Sequence, residues 1–590
     1  MQGARQQHWP LASLSLLLLF SCALLVDALS GGSYTRAAGS YSDSYYIASF
    51  ARNIATGAGW ASWHGYAPIP LDIQMSTGPV VFLPVSALLY LGLPATLAIP
   101  LATLALNLGL LWLLLRSLSG LLDGRQLFLL SLAWLPFLFS FQSHQWYLCL
   151  GETACALLLA IAALQLALPG RLPRHFVLAG MAASAAVFCK LVAILGIAIL
   201  SLFAGWLAAT RQLQQPGRAL LAWLAGLALL PAVLALLASL HYGPGLVLDY
   251  VTNYLSFYLT GHGQASTNPE EWDVASTLNN LLLNTRALQP AWGARHGFFA
   301  LLALSLLAPV IAIWQLPMRH ATRQRCVLAL ALLASAFLAW FFFLGLHQQG
   351  RYFHIAGMLA ALAVGLFAAT SRQAATASLA LALAWLSACP PWPASSPEDN
   401  YRANNLALAA ALDKDPTATQ YIWAAATVVP IPFVALHTDS NRRWYSALGY
   451  VAKYADLDPA RTTTRGKDEI SIPQGGMVNW ARHLEIMTAA GHMDIREYEK
   501  LGSELASMQK NPSLQLSLLW HGPQTVPMVV DTLYRDQFGL PCPARYSNAE
   551  FFILHCTVAQ LEDALNRLVG KPGAISLSVV APAGAVELEP

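Results

Sequence analysis

Charged side chains are scarce in this chain of 590 residues, and the scarcity excludes an ordinary soluble protein. Asp, Glu, Lys and Arg make up 11% of the sequence, against about a quarter in typical soluble domains. Hydrophobic residues make up 56%, and the mean hydropathy is +0.50. One core cannot hide so much apolar surface, so lipid must solvate much of it. The composition predicts a polytopic α-helical membrane protein.

Other features are missing too. No basic stripe interleaved with aromatic residues appears, which disfavours nucleic acid as a partner. The eight cysteines show no zinc-site spacing, and six of them lie in or beside apolar segments, where a thiol is usually a small hydrophobic group. For Cys542 and Cys556, in a polar region, a disulfide and two free thiols both stay open. No convincing cleavage site follows the apolar run 11–26, so this run is interpreted as a transmembrane helix rather than a signal peptide.

Apolar runs that approach the ~20 residues needed to cross a bilayer recur through residues 1–388. They predict about eleven transmembrane helices. The predicted spans are 11–29, 97–115, 126–142, 153–168, 176–189, 191–208, 219–240, 298–316, 327–346, 355–369 and 374–388. The run 80–91, interrupted by Pro84, is too short to cross and is assigned to a re-entrant or interfacial helix.

Arginine marks one side of this topology. Because short cytoplasmic loops are rich in Lys and Arg, the arginine-bearing loops are predicted to be cytoplasmic. These arginines are Arg5, Arg116, Arg125, Arg171, Arg174, Arg211, Arg218, Arg319, Arg323, Arg325 and Arg372. The outer loops are then 30–96, 141–152, 241–297 and 347–354, and Lys190 lies at a short outer connection between two spans. We expect the chain in a bacterial inner (plasma) membrane, with these loops extracytoplasmic.

The composition shifts after Ala388, where prolines end the last span and charges become frequent. Residues 389–590 have the length of about one domain. Helical stretches (404–412, 495–508 and 558–568) alternate with strand-like runs (528–530 and 551–554), which predicts a soluble α/β domain. The apolar run 421–436 is interrupted by prolines and is assigned to the core of that domain. The predicted topology places the domain on the outer side of the membrane.

Ionisable residues beside apolar helices usually face a water-filled cavity, and four of them lie on the predicted outer side. Asp43 suits either the N-cap of a helix at 44–54 or a general base. Glu152 at a helix start gains from the helix dipole whatever its role. Lys190, in an apolar run, and Arg351, against the positive-inside trend, are costly unless each pairs with an anion, for which a phosphate at the membrane surface is suitable.

An aromatic stripe of Tyr250, Tyr254, Phe257 and Tyr258 recurs at helical spacing in the third outer loop. It predicts either an interfacial belt helix, which we favour, or a platform for a ligand.

Several motifs together resemble those of the GT-C glycosyltransferases, which include protein O-mannosyltransferases and the lipid A aminoarabinose transferase class. The likeness covers roughly residues 10–390 in order and topology, although each motif alone is weak. The motifs are Asp43…Tyr46…Ala51-Arg52-Asn53…Gly57…Gly59-Trp60, Ser76-Thr77-Gly78-Pro79, Leu150-Gly151-Glu152, Cys189-Lys190-Leu191 and Gly350-Arg351-Tyr352-Phe353. The paired acidic residues of many protein mannosyltransferases and the Pro-Pro-Leu of many aminoarabinose transferase relatives are missing, so neither sugar nor acceptor carries over.

The resemblance implies an enzyme that moves a sugar from a polyprenyl phosphate to an acceptor hydroxyl on a glycan, lipid or protein. The donor phosphate would bind Lys190, Arg351 and Tyr352. Asp43 would act as base in an inverting displacement, with Glu152 as the second catalytic residue. Further candidate substrate contacts are His354, Tyr46 and Asp72. No cofactor is certain, and a divalent cation stays open.

Three alternatives remain. A lipid-linked glycan ligase or polymerase would use the same donor class but move a whole oligosaccharide. A secondary transporter would carry charges inside its spans and show repeated halves, neither of which the sequence has. A non-catalytic membrane anchor for the C-terminal domain would leave Asp43 and Arg351 freely replaceable.

Overall fold

The apolar runs of the sequence fold into helices in the computed structural model of the chain. The described residues are 8–30, 38–57, 59–64, 67–71, 77–128, 130–131, 143–168, 172–210, 212–213, 215–259, 281, 321–344 and 353–368, with isolated positions in 407–414 and short strands in 420–556. The described contacts divide the chain into two units. The first unit comprises Met1–Ile47, Met75–Leu248 and Thr267–Ser396, and the second comprises Ala48–Gln74, Asp249–Ser266 and Pro397–Pro590.

The helices match most of the predicted spans within a few residues. They are α1 His8–Ser30, α2 Ala38–Ala55, α3 Pro79–Tyr90, α4 Ala95–Leu118, α5 Glu152–Ala167, α6 Pro173–Val187, α7 Ala193–Ala209, α8 Pro216–Tyr242, α9 Pro244–Leu259, α10 Ala321–Ala339 and α11 Phe353–Ala368. A 3-10 turn forms at Ser143–Trp146, and a π turn, Trp340–Leu344, extends α10. The predicted spans 298–316 and 374–388, and most of 126–142, lie outside the described residues, so the number of eleven crossings stays a prediction.

The described helices support an integral membrane protein. Three are long and apolar enough to cross a bilayer: Ala95–Leu118, Pro216–Tyr242 and Thr322–Phe343. Five shorter apolar helices accompany them: Leu18–Leu29, Pro79–Tyr90, Glu152–Ala167, Ala193–Ala209 and Phe353–Phe367. Helix α3 has 12 residues with Pro84 inside it, as expected of a segment too short to cross.

Helix α5 lies at the centre of the first unit. Nearly all its side chains are buried, because it packs against α4, α6, α10 and α11. Helices α6 and α8 cross with their backbones in contact: a Cβ atom at Gly180 would collide with the Trp223 carbonyl oxygen, and one at Gly226 with that of Val177. Glycine is therefore needed on both sides of this crossing.

Segments predicted to lie on the same side of the membrane meet each other. Arg323 lies in the first turn of α10, and its guanidinium donates to the carbonyl oxygen of Leu121 (2.9 Å) and to the Gln126 side chain (3.3 Å), which follow α4. Both segments are predicted to be cytoplasmic. The predicted outer segments around residues 77, 150, 190 and 354 meet at a separate place, described below.

The second unit contains a hairpin and a mixed sheet. Strands β1 (Ala61–His64) and β2 (Ala67–Pro70) pair antiparallel. Five further strands form a sheet in the order β4-β3-β5-β7-β6. They are β3 Gln420–Trp423, β4 Arg443–Ser446, β5 Leu516–His521, β6 Ala544–Ser547 and β7 Phe551–Cys556. Strand β3 is parallel to β4 and β5, and β7 is antiparallel to β5 and β6.

This sheet contains part of what the sequence predicted for residues 389–590. The strand expected at 551–554 is present as β7, and the apolar run 421–436 begins within β3. The run 528–530, Cys542, the side chain of Cys556 and nearly all of the expected helices lie outside the described residues. The soluble α/β domain, its disulfide and the boundary at residue 388 therefore stay predictions.

Candidate active site

A buried ion pair joins two of the predicted site residues. Oε1 of Glu152 lies 3.1 Å from Nζ of Lys190. The Glu152 side chain is 0% exposed and that of Lys190 is 7% exposed. Neither carboxylate oxygen of Glu152 accepts a hydrogen bond of good geometry within the described part of the chain. The ammonium group of Lys190 thus provides the main compensation for a carboxylate that has lost its water.

Hydrogen bonds hold the ammonium group of Lys190 in place. Its Nζ donates to Oγ1 of Thr77 (3.2 Å) and to the carbonyl oxygen of Leu150 (3.3 Å). The hydroxyl of Thr77 in turn donates to the same carbonyl oxygen of Leu150, at 3.1 Å. Lys190 therefore joins three chain segments that are distant in sequence.

The local backbone allows these segments to approach closely. Helix α6 ends at Val187 and α7 begins at Ala193, so Lys190 lies in the break between two spans, as the sequence predicted. A Cβ atom at Gly78 would lie 2.5 Å from the Phe188 carbonyl oxygen, and one at Gly151 would collide with the Cys189 carbonyl oxygen. Gly151 also has φ +92°, a left-handed conformation that favours glycine.

Four helices begin at this place. The starts of α3, α5 and α7 lie in the joined segments: the N–H of Val80 donates to the Phe188 carbonyl oxygen at 3.3 Å, Glu152 opens α5, and the N–H of Ala193 bonds to the Lys190 carbonyl oxygen at 3.0 Å. Helix α11 joins through His354, whose Nε2 lies 3.0 Å from Oγ1 of Thr153. Helix N-termini carry partial positive charge and unsatisfied N–H groups. The local field therefore favours an anion.

The loop before α5 is held from three other helices. Oη of Tyr147 donates to Oδ2 of Asp27 in α1 at 2.7 Å, and both side chains are buried. The N–H of Cys149 donates to Oγ of Ser44 in α2 at 2.9 Å. Nδ2 of Asn107 in α4 donates to the Trp146 carbonyl oxygen at 2.9 Å. This loop leads directly to Glu152, so these bonds fix the position of the backbone from which the Glu152 side chain extends.

The structure corrects one interpretation of Asp43. Helix α2 begins at Ala38, so Asp43 lies inside the helix and is not the N-cap of a helix at 44–54. The next residue, Ser44, contacts the loop before Glu152, and the backbone at Asp43 therefore lies on the segment attached to that loop. The side chains of Asp43 and Tyr46 lie outside the described part of the chain.

The predicted residues thus divide into two groups. Glu152, Lys190 and His354 are brought to one place. Asp72, Arg351 and Tyr352 lie outside the described residues, and their roles stay predictions.

Five residues that sequence reasoning missed support the site. Asp27, a lone carboxylate near the end of the first apolar run, and Thr77, inside one of the quoted motifs, gave usable signals. Ser44, Asn107 and Thr153 gave none, because their role depends on which distant carbonyl or amide lies nearby.

The thiols near the site are buried and free. Cys149, Cys155 and Cys189 form no disulfide. Burial raises the pKa of the Cys149 thiol far above its ordinary value, although the charge of Lys190 acts in the opposite direction. Within the described ranges, no group of three or more His, Cys, Asp or Glu residues is placed to hold a metal ion.

Comparison with known proteins gives similar structures but no similar sequence. No protein-family model and no curated protein matches the chain. The crystal structure of ArnT from Cupriavidus metallidurans in the apo state is similar, with a TM-score of 0.42 and 12% identity over 93% of this chain and 99% of that one. The crystal structure of the same protein bound to undecaprenyl phosphate has a TM-score of 0.41 and 12% identity over 92% and 98%.

Proposed function

We propose that this chain is a membrane glycosyltransferase that moves a sugar from a polyprenyl-phosphate donor to an acceptor hydroxyl on the outer face of the membrane. The observation that carries the proposal is the buried site of Glu152 and Lys190, where four helix N-termini meet. A lysine and helix N-termini suit an anionic group such as a phosphate. The sequence motifs, through their resemblance to GT-C enzymes, support the donor class.

The donor phosphate lies at the outer end of the helices in the proposed complex. Lys190 supplies charge from inside the protein, and a phosphate oxygen replaces Oε1 of Glu152 as its ionic partner. Arg351 and Tyr352, on the loop before α11, bind the phosphate from the other side. Charge-assisted hydrogen bonds to the phosphate stabilise it as a leaving group, so the reaction needs no general acid there.

Asp43 is the proposed base. It takes the proton of the acceptor hydroxyl while that oxygen attacks the anomeric carbon in line, and the bond from that carbon to the phosphate oxygen breaks. The sugar is transferred with inversion and polyprenyl phosphate is released. The bond between Ser44 and Cys149 supports this role, because it ties the helix of Asp43 to the loop that leads to Glu152.

Glu152 is the second proposed acidic residue. Its Oε2 atom has no donor among the described residues, and an unsatisfied buried acceptor is costly by about 1–3 kcal/mol. A hydroxyl group of the acceptor or sugar would satisfy it once the phosphate engages Lys190. His354, Tyr46 and Asp72 are proposed as further substrate contacts. The site is extracytoplasmic in this proposal, in a bacterial inner membrane, and the arginine-bearing loops, predicted to be cytoplasmic, support this orientation.

Binding of undecaprenyl phosphate to the purified chain in nanodiscs tests the donor class. We expect Lys190→Met to weaken binding of undecaprenyl phosphate at least about tenfold, the loss of one charge-assisted contact. Arg218→Gln, on a predicted cytoplasmic loop, is the matched control and should bind like the parent. Equal binding of uncharged undecaprenol, or unchanged binding by Lys190→Met, contradicts the proposal.

Transfer itself is tested with Asp43→Asn in membranes supplied with radiolabelled undecaprenyl-phosphate sugars. We expect normal binding of undecaprenyl phosphate and loss of label transfer, because the amide cannot accept the hydroxyl proton. Retained transfer by a folded Asp43→Asn protein removes Asp43 as the base. A labelled product that carries a whole oligosaccharide indicates the ligase or polymerase alternative.

A further inference from the structure

Helix α9 (Pro244–Leu259) carries an apolar stripe on its exposed surface. Leu248 is 67% exposed and Val251 is 43% exposed. These positions are three residues apart and therefore lie on one side of the helix. Two exposed aliphatic residues thus lie side by side on the helix.

A different side of α9 packs within the protein. The ring of Tyr250 lies 6.2 Å from that of Trp60, next to the hairpin of β1 and β2, and 5.3 Å from that of Tyr254. Val247, on the same side, is buried. Tyr250, one of the residues that predicted an interfacial belt, is therefore in contact with Trp60. The protein core is on this side, and the aliphatic stripe is on another.

A third side of the helix exposes the polar residues Asp249 and Thr252. Leu246, 41% exposed, lies where this side borders the aromatic side. On a helical projection with 100° per residue, this side lies between the aliphatic stripe and the aromatic side. A helix whose exposed surface has an apolar side and a polar side suits the boundary between lipid and water.

The stripe continues directly from a lipid-facing helix. Helix α8 is long and apolar enough to cross a bilayer, and only 17% of its most apolar 18-residue window is buried. Near its end, Leu236, Leu237 and Leu240 are 60%, 57% and 77% exposed. Gly243, with φ +85°, ends this helix, and Pro244 begins α9. The apolar stripe therefore starts within a few residues of the point where the chain leaves the membrane.

We propose that α9 is an in-plane helix that binds the surface of the bilayer where α8 ends. Its stripe of Leu248 and Val251 lies at the boundary of headgroups and acyl chains, and Asp249 faces water. Burial of exposed aliphatic side chains in this boundary stabilises such helices.

Spin labels test the orientation of α9 in nanodiscs of phosphatidylethanolamine and phosphatidylglycerol. Leu248→Cys, Val251→Cys and Asp249→Cys carry the labels one at a time. We expect high accessibility to oxygen and low accessibility to a water-soluble nickel chelate at 248 and 251, and the reverse at 249. The background replaces by serine every cysteine not known to be buried: Cys22, Cys389, Cys542 and Cys556. Nickel accessibility that is equal at all three positions overturns the proposal.

A photo-crosslinker at position 248 provides a second measurement that keeps the native cysteines. Benzoylphenylalanine in place of Leu248 is irradiated in the same nanodiscs, and the adduct is identified by mass. We expect a phospholipid adduct. An adduct with a second copy of the chain, or with a segment of the same chain, means that protein covers the stripe and overturns the proposal. The same crosslinker in place of Leu237 on α8 is the positive control for lipid.

Discussion

Removal of Lys190 should destabilise the protein more than removal of both partners of its ion pair. Lys190→Met leaves the carboxylate of Glu152 at 0% exposure without its cation, and deletes two hydrogen bonds to Thr77 and Leu150. Breaking a buried pair on one side costs about 3–5 kcal/mol, because the remaining charge is uncompensated. Leu150 keeps its hydrogen bond from Thr77, so the loop itself is not released.

The partner substitutions define the expected order. Glu152→Gln leaves Lys190 with two oxygen acceptors and should cost about 1–3 kcal/mol. The double variant Lys190→Met with Glu152→Gln has no buried charge at this place. We expect it to be more stable than Lys190→Met alone, since an apolar replacement of a whole buried pair is often neutral or favourable.

The measurement is the thermal midpoint of the four proteins in identical nanodiscs, followed by loss of monodisperse protein after heating. A membrane protein of this size need not unfold in two states, so the ranking of midpoints is the result and not a free energy. Arg218→Gln controls for loss of an exposed cation. A Lys190→Met protein as stable as the parent, or a double variant less stable than both single variants, refutes the reasoning.

Three more predictions follow from the packing. Gly226→Ala should abolish folded protein in size-exclusion chromatography, because its Cβ atom would enter a backbone carbonyl of α6, whereas Gly205→Ala, with open space around it, should elute normally; equal yields contradict the tight crossing. Asp27→Asn removes the charge from the hydrogen bond that α1 makes to the loop before Glu152, and should lower the thermal midpoint through a loss of about 1–3 kcal/mol; an unchanged midpoint means the loop is held without it. Cys149 should resist iodoacetamide at pH 8 in the folded protein and react once SDS has unfolded it, because burial raises the pKa of the Cys149 thiol and keeps it protonated; mass spectrometry after tryptic digestion reads the site, and equal labelling of the folded and unfolded protein contradicts the burial.

Much of the helical framework could be predicted from composition and charge. Apolar length alone located α5 within one residue of its observed start, and the break around Lys190 followed from a charge inside an apolar run. These features depend on local sequence and on the thickness of a bilayer, which is why a single sequence contains them.

Contacts between distant segments could not be predicted. The pairing of Asp27 with Tyr147 joins residues 120 positions apart, and nothing near either residue signals the other. Asp43 was given the N-cap alternative because Ser and Asp favour caps, but the helix continues through them to Ala38. The tyrosines of α9 were assigned to a lipid interface from their spacing, yet the same spacing serves equally well for packing on Trp60. Periodicity indicates that one side of a helix makes contacts, and only the tertiary structure shows whether the partner is protein or lipid.

Helix α5 is also shorter than the hydrocarbon core of a bilayer is thick. Sixteen residues at about 1.5 Å each give about 24 Å, roughly 6 Å less than the hydrocarbon thickness of a bilayer. If Ala167 is level with one boundary of the hydrocarbon, the carboxylate of Glu152 is recessed below the other. A phosphate on a lipid tail could then reach Lys190, beside this carboxylate, by sinking a few ångströms without leaving its leaflet, while a water-soluble sugar phosphate would have to descend into a depression. The short length of α5 would in this way favour lipid-linked substrates, which approach within the plane of the membrane.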